Sequence, residues 1–154
     1  MGWLAIVRHG EAGPGRPDAE RRLTARGTRE AAEAGRWLAA KTVLSGATLW
    51  ASPYRRAQQT AQTIADAMAG EIQTVDGVTP DDDVGVLVER LIDFEASRPL
   101  VIVSHMPLVG TLAGRLVEGT PNAALMFPTA GVALLKADVW AAGCASLEAF
   151  FSPA

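Results

Sequence analysis

Short apolar runs alternate with amphipathic helical stripes along most of this chain, and this pattern limits its fold more than any other feature. The runs have the length and the apolar, partly β-branched character of buried strands. They are Trp3–Val7, Leu49–Ala51, Ile72–Val75 and Leu100–Val103, followed in the tail by Val132–Leu135 and Ser146–Phe151. Strands that alternate with helices form a sheet covered on both faces. The sequence therefore predicts a three-layer α/β fold, with the tail strands added to the same sheet.

Apolar residues spaced three and four apart indicate four helices between these strands. The stripes are Ala31, Gly35 and Leu38; Ala57, Ala61, Ile64, Ala65 and Met68; Val84, Leu87, Val88, Leu91 and Ile92; and Val109, Leu112, Ala113, Leu116 and Val117. Thr24 is a predicted N-cap of the first helix, which should end near Ala40. Pro107 precedes the last stripe, as proline often does in a first helical turn.

Composition limits the class of protein. The chain has 154 residues, of which 49% are apolar, which is enough for one domain over residues 1–154. Lys+Arg total 14 and Asp+Glu total 17, and a net charge of −3 gives no reason to expect binding to nucleic acid or to an anionic membrane. No apolar run is long enough to cross a bilayer, and Trp3–Val7 is too short for a signal-peptide core. We expect a cytoplasmic monomer.

The chain has too few cysteines and histidines for an intrachain disulfide or a structural metal site. Cys144 is the one cysteine, which excludes an intrachain disulfide, and we interpret it as a small structural side chain. His9 and His105 are the only histidines. We therefore expect neither a structural metal site nor a cofactor.

Both histidines follow predicted buried strands. His9 comes after Val7-Arg8, and His105 comes after Val103-Ser104. Ligands of α/β sheets bind outside the carboxyl ends of the strands, so both imidazoles should face that crevice. A single histidine is more often a partly buried structural side chain, but two at matching strand ends favour a functional site.

The residues around His9 indicate nucleophilic chemistry. Arg8 places a permanent positive charge beside the imidazole, and like-charge repulsion favours the neutral, nucleophilic form of the ring. Gly10 lets the backbone approach a bound group closely. The run Arg8-His9-Gly10-Glu11 can also arise by chance, so by itself it is only suggestive.

Arginines also occur where the second strand turns into a helix. The segment Ser52–Thr60 contains Arg55 and Arg56, and a helix N-terminus with an arginine is a good clamp for phosphate. The alternative is a solvated surface charge, because the chain has 12 arginines against 2 lysines. Two histidines and several arginines in one crevice point to phosphoryl transfer.

Asp81, Asp82 and Asp83 lie just before the third helical stripe. Acidic residues in that position are usually helix caps, and we favour this interpretation over a general acid. A cap can also face the crevice, so the acid role stays open at this point.

These motifs resemble those of the histidine phosphatase superfamily, which has the phosphoglycerate-mutase-like fold. Its Arg-His-Gly-Glu signature appears at residues 8–11, and its Ser-Pro-x-x-Arg-Ala-x-Gln-Thr motif appears at Ser52–Thr60, which assigns the motif arginine to Arg56. The third motif appears as Ser104-His105.

The chain is similar along nearly its whole length to the small SixA-type phosphohistidine phosphatases. Further matches are Arg21-x-Leu23-Thr24 with Gly27, Thr79-Pro80 with Asp83-Val84-Gly85, His105-x-Pro107-Leu108-Val109-Gly110, and Met126-Phe127 with Thr129-Ala130.

The resemblance implies an α/β/α sandwich with a central mixed, mostly parallel sheet. It also implies that His9 accepts the phosphoryl group. It places Arg8, Arg56 and His105 around the phosphate, with Arg21 contributing and no metal required. Arg22 stands where the SixA pattern usually has proline, which leaves open whether Arg21 or Arg22 reaches the site.

The same resemblance implies a phosphohistidine-bearing phosphotransfer or phosphocarrier protein as the partner and substrate. Imidazole leaves phosphorus more easily than an alkoxide, so weak acid catalysis suffices. A small-molecule phosphomonoester phosphatase or mutase of the same superfamily is the first alternative. A non-catalytic module that binds a phosphorylated ligand is the second.

Overall fold

Ten strands and α-helices follow one another in the predicted order, and the computed structural model describes all residues from 1 to 154. The first half contains β1 (Gly2–Arg8), α1 (Ala25–Ala39), β2 (Thr48–Ala51), α2 (Arg55–Met68) and β3 (Ile72–Thr74). The second half contains α3 (Val84–Ile92), β4 (Leu100–Ser104), α4 (Leu108–Glu118), β5 (Val132–Ala137) and β6 (Ser146–Phe151). Two 3-10 turns, Asp18–Glu20 and Thr42–Leu44, have no counterpart in the sequence prediction.

The six strands form one sheet in the order β3-β2-β4-β1-β5-β6. Strand β1 pairs in parallel with β4, and β2 pairs in parallel with β4 and β3. Strand β5 is antiparallel to both β1 and β6, so it alone runs against the others. The predicted α/β fold with a mixed, mostly parallel sheet is therefore confirmed.

Alternate residues of the central strands pack into two separate apolar layers, because successive side chains of a strand point to opposite faces. Ala5 and Val7 of β1 pack with α1 and α2, whereas Leu4 and Ile6 pack with α3 and α4. The predicted helical stripes supply helix residues to both layers, for example Ile64 to one and Leu112 to the other. Ile92, the last residue of α3, is 47% exposed, so the buried part of that stripe ends at Leu91.

Two helix starts have the polar caps that the sequence suggests. The Thr24 hydroxyl accepts a hydrogen bond from the Gly27 amide at 3.0 Å, and a carboxylate oxygen of Asp83 accepts one from the Gly85 amide at 2.7 Å. Each cap satisfies an amide that has no partner within its helix. None of the four α-helices has the length and apolar character needed to cross a membrane.

The topology creates a crevice beside β1 and β4. These strands are neighbours, but the helices that follow them, α1 and α4, cover opposite faces of the sheet. The chain therefore diverges to two sides beyond the carboxyl ends of this strand pair, which is where parallel α/β sheets bind their ligands.

Candidate active site

The pairing of β1 with β4 brings the two histidines together. Arg8 is opposite Ser104 in the parallel register, so the next residues of the two strands, His9 and His105, meet just beyond the sheet. The His9 amide donates to the Ser104 carbonyl at 3.0 Å, which extends this register by one residue. The ring centroids are 5.0 Å apart in an edge-to-face arrangement, and the two residues are 8% and 1% exposed.

The hydrogen bonds of His9 determine which of its nitrogens is free to react. Nδ1 lies 2.7 Å from the carbonyl oxygen of Gly10, and only a protonated nitrogen can donate to a carbonyl. In the neutral ring, Nε2 therefore carries the lone pair. Nε of Arg56 donates to this Nε2 at 3.2 Å. The ring is thus held with its nucleophilic nitrogen beside a guanidinium.

Both imidazoles are neutral at physiological pH. Burial lowers the pKa of His9 to about 4, with the charges of Arg56, Arg8 and Arg21 acting in the same direction against the hydrogen bond to Gly10. Burial also lowers the pKa of His105 to about 3, with His9 and Arg56 adding to the effect. The sequence interpretation ascribed the neutral form of His9 to Arg8, but burial is the larger cause and Arg56 acts more strongly than Arg8.

His105 is held by residues that precede α2. Its Nε2 lies 2.7 Å from the hydroxyl of Ser52, which also accepts the amide of Tyr54 at 3.2 Å. The Tyr54 ring packs edge-to-face on His105, with centroids 5.0 Å apart, and lies 5.1 Å from the guanidinium carbon of Arg56. The segment from Ser52 to Arg56 therefore positions the second histidine as well as an arginine.

Two buried polar atoms beside His9 have no hydrogen-bond partner: Nε of Arg8 and Nδ1 of His105. The other end of the Arg8 guanidinium donates to the Phe127 carbonyl at 2.8 Å. Burial lowers the pKa of Arg8, and the negative charge of Glu30 opposes this effect. Unpaired buried polar groups are costly, and an oxyanion accepts hydrogen bonds from a guanidinium N–H such as Nε of Arg8. Nδ1 of His105 becomes a donor of this kind when the ring is protonated.

A cleft of about 370 Å³ opens at this point. The residues that line it are Arg8, His9, Glu11, Ala12, Arg21, Arg56, Met106 and Thr129. His105 is not among them, and it meets the site through its contact with the ring of His9. Arg21 is therefore in the cleft, whereas Arg22 is exposed and does not line it. Arg55 is also outside this lining and pairs with Glu20 at 2.9 Å on the surface.

Asp18 is a member of the site that sequence reasoning missed. Its carboxylate accepts from Nη1 of Arg21 at 3.0 Å and from Nη2 of Arg56 at 3.1 Å. Its main-chain carbonyl accepts from Nη1 of Arg56 at 2.7 Å. In the local sequence, only the three-residue spacing of Asp18 and Arg21 indicated that Asp18 could pair with an arginine. The contact with Arg56 depends on the fold.

Glu30 and Thr60 were also missed. The Thr60 hydroxyl accepts the amide of Gly10 at 3.0 Å. The carboxylate of Glu30, which is 5% exposed, accepts the amide of Glu11 at 2.8 Å and the hydroxyl of Thr129 at 2.8 Å. Glu30 therefore joins the loop after β1 to the loop before β5. A glutamate beside Ala31 on the buried stripe of α1 was a sequence signal for such a contact.

The three consecutive aspartates do not line the cleft. Asp83 caps α3, as we predicted. Asp82 accepts the amide and the hydroxyl of Thr79 at 2.8 and 2.6 Å, and these hydrogen bonds lower its pKa. Asp81 is exposed. Cys144 is exposed between β5 and β6. No group of three or more His, Cys, Asp or Glu side chains is arranged to hold a metal ion.

Comparison with known proteins places this site in a family. Residues 4–79 match the model of the histidine phosphatase superfamily, branch 1. The phosphohistidine phosphatase SixA of Escherichia coli is 32% identical over 139 residues, which cover 86% of this chain and 84% of that protein. An uncharacterised protein of Mycobacterium tuberculosis is 34% identical over 161 residues, covering 96% of this chain and 99% of its own length.

A solved structure of the protein histidine phosphatase SixA complexed with tungstate superimposes with a TM-score of 0.86 at 28% identity. The alignment covers 98% of this chain and 97% of that one. Tungstate is a tetrahedral oxyanion, like phosphate. On these matches, and with its paired histidines and arginines at the switch point of the sheet, the chain belongs to the histidine phosphatase superfamily and is of the SixA type.

Proposed function

We propose that this protein is a phosphohistidine phosphatase that acts on a phosphorylated protein through a phosphohistidine intermediate on His9. One observation carries the proposal: a neutral imidazole whose Nδ1 is tied to the Gly10 carbonyl and whose Nε2 meets Arg56 in a cleft with Arg8 and Arg21. The proposed substrate class is that of the SixA relative from Escherichia coli, which is 32% identical to this chain over 139 residues.

In the first step, the Nε2 lone pair of His9 attacks phosphorus in line. A bond forms between phosphorus and Nε2 while the bond to the substrate imidazole breaks, and that imidazole keeps the electron pair and takes a proton from water. Arg8, Arg56 and His105 neutralise the charge on the equatorial oxygens, with Arg21 farther out. In the second step, water attacks phosphorus, the bond between phosphorus and Nε2 breaks, and its electron pair returns to Nε2. The proton that the attacking water loses neutralises the hydroxide left by the first step.

His105 changes its charge during this cycle. It is neutral in the free protein, since its pKa is about 3. A phosphoryl dianion favours the protonated ring, so phosphate binding should raise this pKa and bring a proton to His105. We propose that no metal takes part, because the guanidiniums supply the positive charge that magnesium supplies in other phosphoryl-transfer sites.

The nature of the leaving group supports a phosphohistidine substrate. None of Asp81, Asp82 and Asp83 lines the cleft, so none is placed to protonate a leaving alkoxide there. Imidazole needs less help from an acid. The element order also contains no helical insertion that would close over the cleft, which suits a protein substrate such as a phosphotransfer or phosphocarrier protein. The proposal implies a cytoplasmic monomer.

Glu11 supports a second candidate function, the hydrolysis of small phosphomonoesters. Glu11 is the one glutamate in the cleft lining, and its carboxylate accepts a hydrogen bond from the Thr24 hydroxyl at 2.8 Å. A carboxylic acid at this place is the group that an ester substrate needs. A purely binding role has less support, because such a module is expected to have lost its nucleophile, whereas this chain has His9 together with Arg8, Arg56 and His105.

The test compares hydrolysis of a phosphohistidine-bearing protein with hydrolysis of p-nitrophenyl phosphate. Wild type and His9→Ala are assayed side by side, each with and without EDTA. We expect rapid release from phosphohistidine that is insensitive to EDTA, slow turnover of the ester, and no activity in a folded His9→Ala variant. Glu11→Gln should leave phosphohistidine hydrolysis within about threefold of the wild-type rate.

Three results would contradict parts of the proposal. Activity retained by His9→Ala would exclude the covalent intermediate. Fast ester turnover with an inert phosphoprotein, lost in Glu11→Gln, would establish the second candidate function instead. Inhibition by EDTA would exclude the metal-independent mechanism.

A further inference from the structure

Asp18 and Glu20 lie on the same 3-10 turn and pair with adjacent arginines at the start of α2, but these arginines differ in their surroundings. Glu20 is 2.9 Å from Nη2 of Arg55, whose side chain is 41% exposed. Asp18 is 3.1 Å from Nη2 of Arg56, whose side chain is 6% exposed and whose Nε contacts His9. Asp18 therefore brings a negative charge to an arginine of the cleft, and Glu20 does not.

Asp18 also holds the second arginine of the pair. Its Oδ1 accepts from Nη1 of Arg21 while its Oδ2 accepts from Arg56, so one carboxylate engages both guanidiniums. These hydrogen bonds, that from Arg21 first, keep the pKa of Asp18 below its ordinary value of 3.8. Asp18 is therefore negatively charged at neutral pH.

Carboxylate and phosphoryl oxygens bind the same guanidinium donors. The Asp18 side chain is 54% exposed, so water can solvate its carboxylate when the guanidiniums turn to another anion. A phosphoryl group in the cleft can therefore take over these donors at small cost. The negative charge of Asp18 stays close by and repels the bound dianion.

We propose that Asp18 is a positioning residue that holds Arg56 and Arg21 in the cleft, yields them to the phosphoryl group, and weakens the retention of free phosphate. It thereby promotes release of the product, a step that limits turnover in many enzymes. This inference rests on the proposed function, since it takes the cleft to be the phosphate site.

The test measures the binding of tungstate and inorganic phosphate by calorimetry in three variants. Asp18→Asn removes the charge but keeps an oxygen that accepts from a guanidinium. Glu20→Gln removes the same charge from the same turn, next to an arginine outside the cleft. Asp18→Glu restores the charge. We expect Asp18→Asn to bind both anions on the order of tenfold more tightly than wild type, and the other two to stay within about threefold.

The direction of the change separates this role from a scaffolding role. A residue that merely supports the loop would weaken anion binding when replaced, so unchanged or weaker binding by Asp18→Asn would overturn the inference. Equal tightening in Glu20→Gln would also overturn it, because the effect would then come from net charge. If wild type binds neither anion, the proposed phosphate site is wrong and this inference falls with it. Binding by wild type without tightening in Asp18→Asn refutes the inference alone.

Discussion

The interior of this protein has an apolar region and a polar region, and the same strands build both. Residues 4–7 of β1 and 100–103 of β4 are apolar and fully buried between the helix layers. Beyond the carboxyl ends of these strands the buried side chains become polar. All seven buried polar or charged residues surround this end of the sheet: His9, Glu30, Ser52, Arg56, Thr60, Ser104 and His105.

The apolar region makes the backbone rigid, whereas the polar region holds the groups that can bind and react. In the apolar region, close packing and strand register fix the backbone. In the polar region, buried groups need hydrogen bonds, and most of them have one through the loops that follow the strands. Nε of Arg8 and Nδ1 of His105 are exceptions. The apolar region thus positions the two histidines, and the polar region keeps a guanidinium N–H of Arg8 free for an anion.

Breaking the apolar region should have the largest effect on stability. Ile102 is fully buried in β4, and Ile102→Ala should lower the free energy of unfolding by about 2–5 kcal/mol, because it leaves a cavity. Urea unfolding measures this loss. The rate per folded molecule should change by less than about threefold, since the side chain lies in the core and outside the cleft lining. If Ile102→Ala lost as much transition-state stabilisation as stability, the apolar region would also contribute directly to the reaction.

Breaking the polar region should affect the reaction instead. Arg56→Ala should cost about 2–4 kcal/mol of transition-state stabilisation, by analogy with other donors to oxyanions. The readout is kcat/KM for phosphohistidine hydrolysis. Arg55→Ala is the matched control, because Arg55 is the neighbouring residue and lies outside the cleft lining. A loss below about tenfold in Arg56→Ala, or an equal loss in Arg55→Ala, would show that Arg56 has no special role.

Acid should destabilise the polar region selectively. His9 and His105 have pKa values of about 4 and about 3 in the folded protein, against an ordinary value of 6.5. As the pH falls below 6.5, the unfolded chain takes up protons that the folded chain does not, so the free energy of unfolding decreases. Between about pH 7 and about pH 5, each histidine should account for a loss of about 2 kcal/mol.

His105→Asn isolates one of these two contributions. Urea unfolding of the variant and the wild type at both pH values should show a loss that is about 2 kcal/mol smaller in the variant. The comparison removes the shared contribution of the carboxylates. Equal losses in the two proteins would mean that His105 is not buried as a neutral ring.

The smallest expected effect concerns the loop before α3. Asp83→Ala removes the N-cap of that helix and should lower the free energy of unfolding by about 1 kcal/mol. Activity should not change, because Asp83 does not line the cleft. An ester with a poor leaving group is the most sensitive substrate for this test. A variant of unchanged stability that hydrolyses the ester slowly would assign Asp83 to the reaction.

The sequence predicted the apolar region more completely than the polar one, for a physical reason. Strands and helices depend on local periodicity, so β1, β4 and the four helices could be predicted from their own residues. The pairing of His9 with His105 followed from their places after two strands. Asp18, Glu30 and Thr60 each contact a residue 19 or more positions away, and these contacts exist only once the loops are folded.

Arg21 and Arg22 show the same limit at a single position. The two residues are adjacent and chemically identical, so only the motif Arg21-x-Leu23-Thr24 favoured Arg21, and the arginine at residue 22 left the choice open. Nε of Arg21 donates to the carbonyl of Gly13 at 2.7 Å, and Asp18 holds its Nη1, whereas Arg22 is exposed. The direction of the backbone in this loop, which only the fold determines, brings Arg21 into the cleft.

Trapping the phosphorylated enzyme shows whether Nε2 of His9 accepts the phosphoryl group. A single turnover of phosphohistidine-bearing substrate is quenched at alkaline pH, where phosphohistidine survives, and the phosphorylated nitrogen is identified by mass spectrometry and by comparison with the two phosphohistidine isomers. We predict phosphate on Nε2 of His9, because Nδ1 donates to the Gly10 carbonyl. Phosphate on Nδ1 or on His105, or product release without a phosphorylated enzyme, would contradict the account.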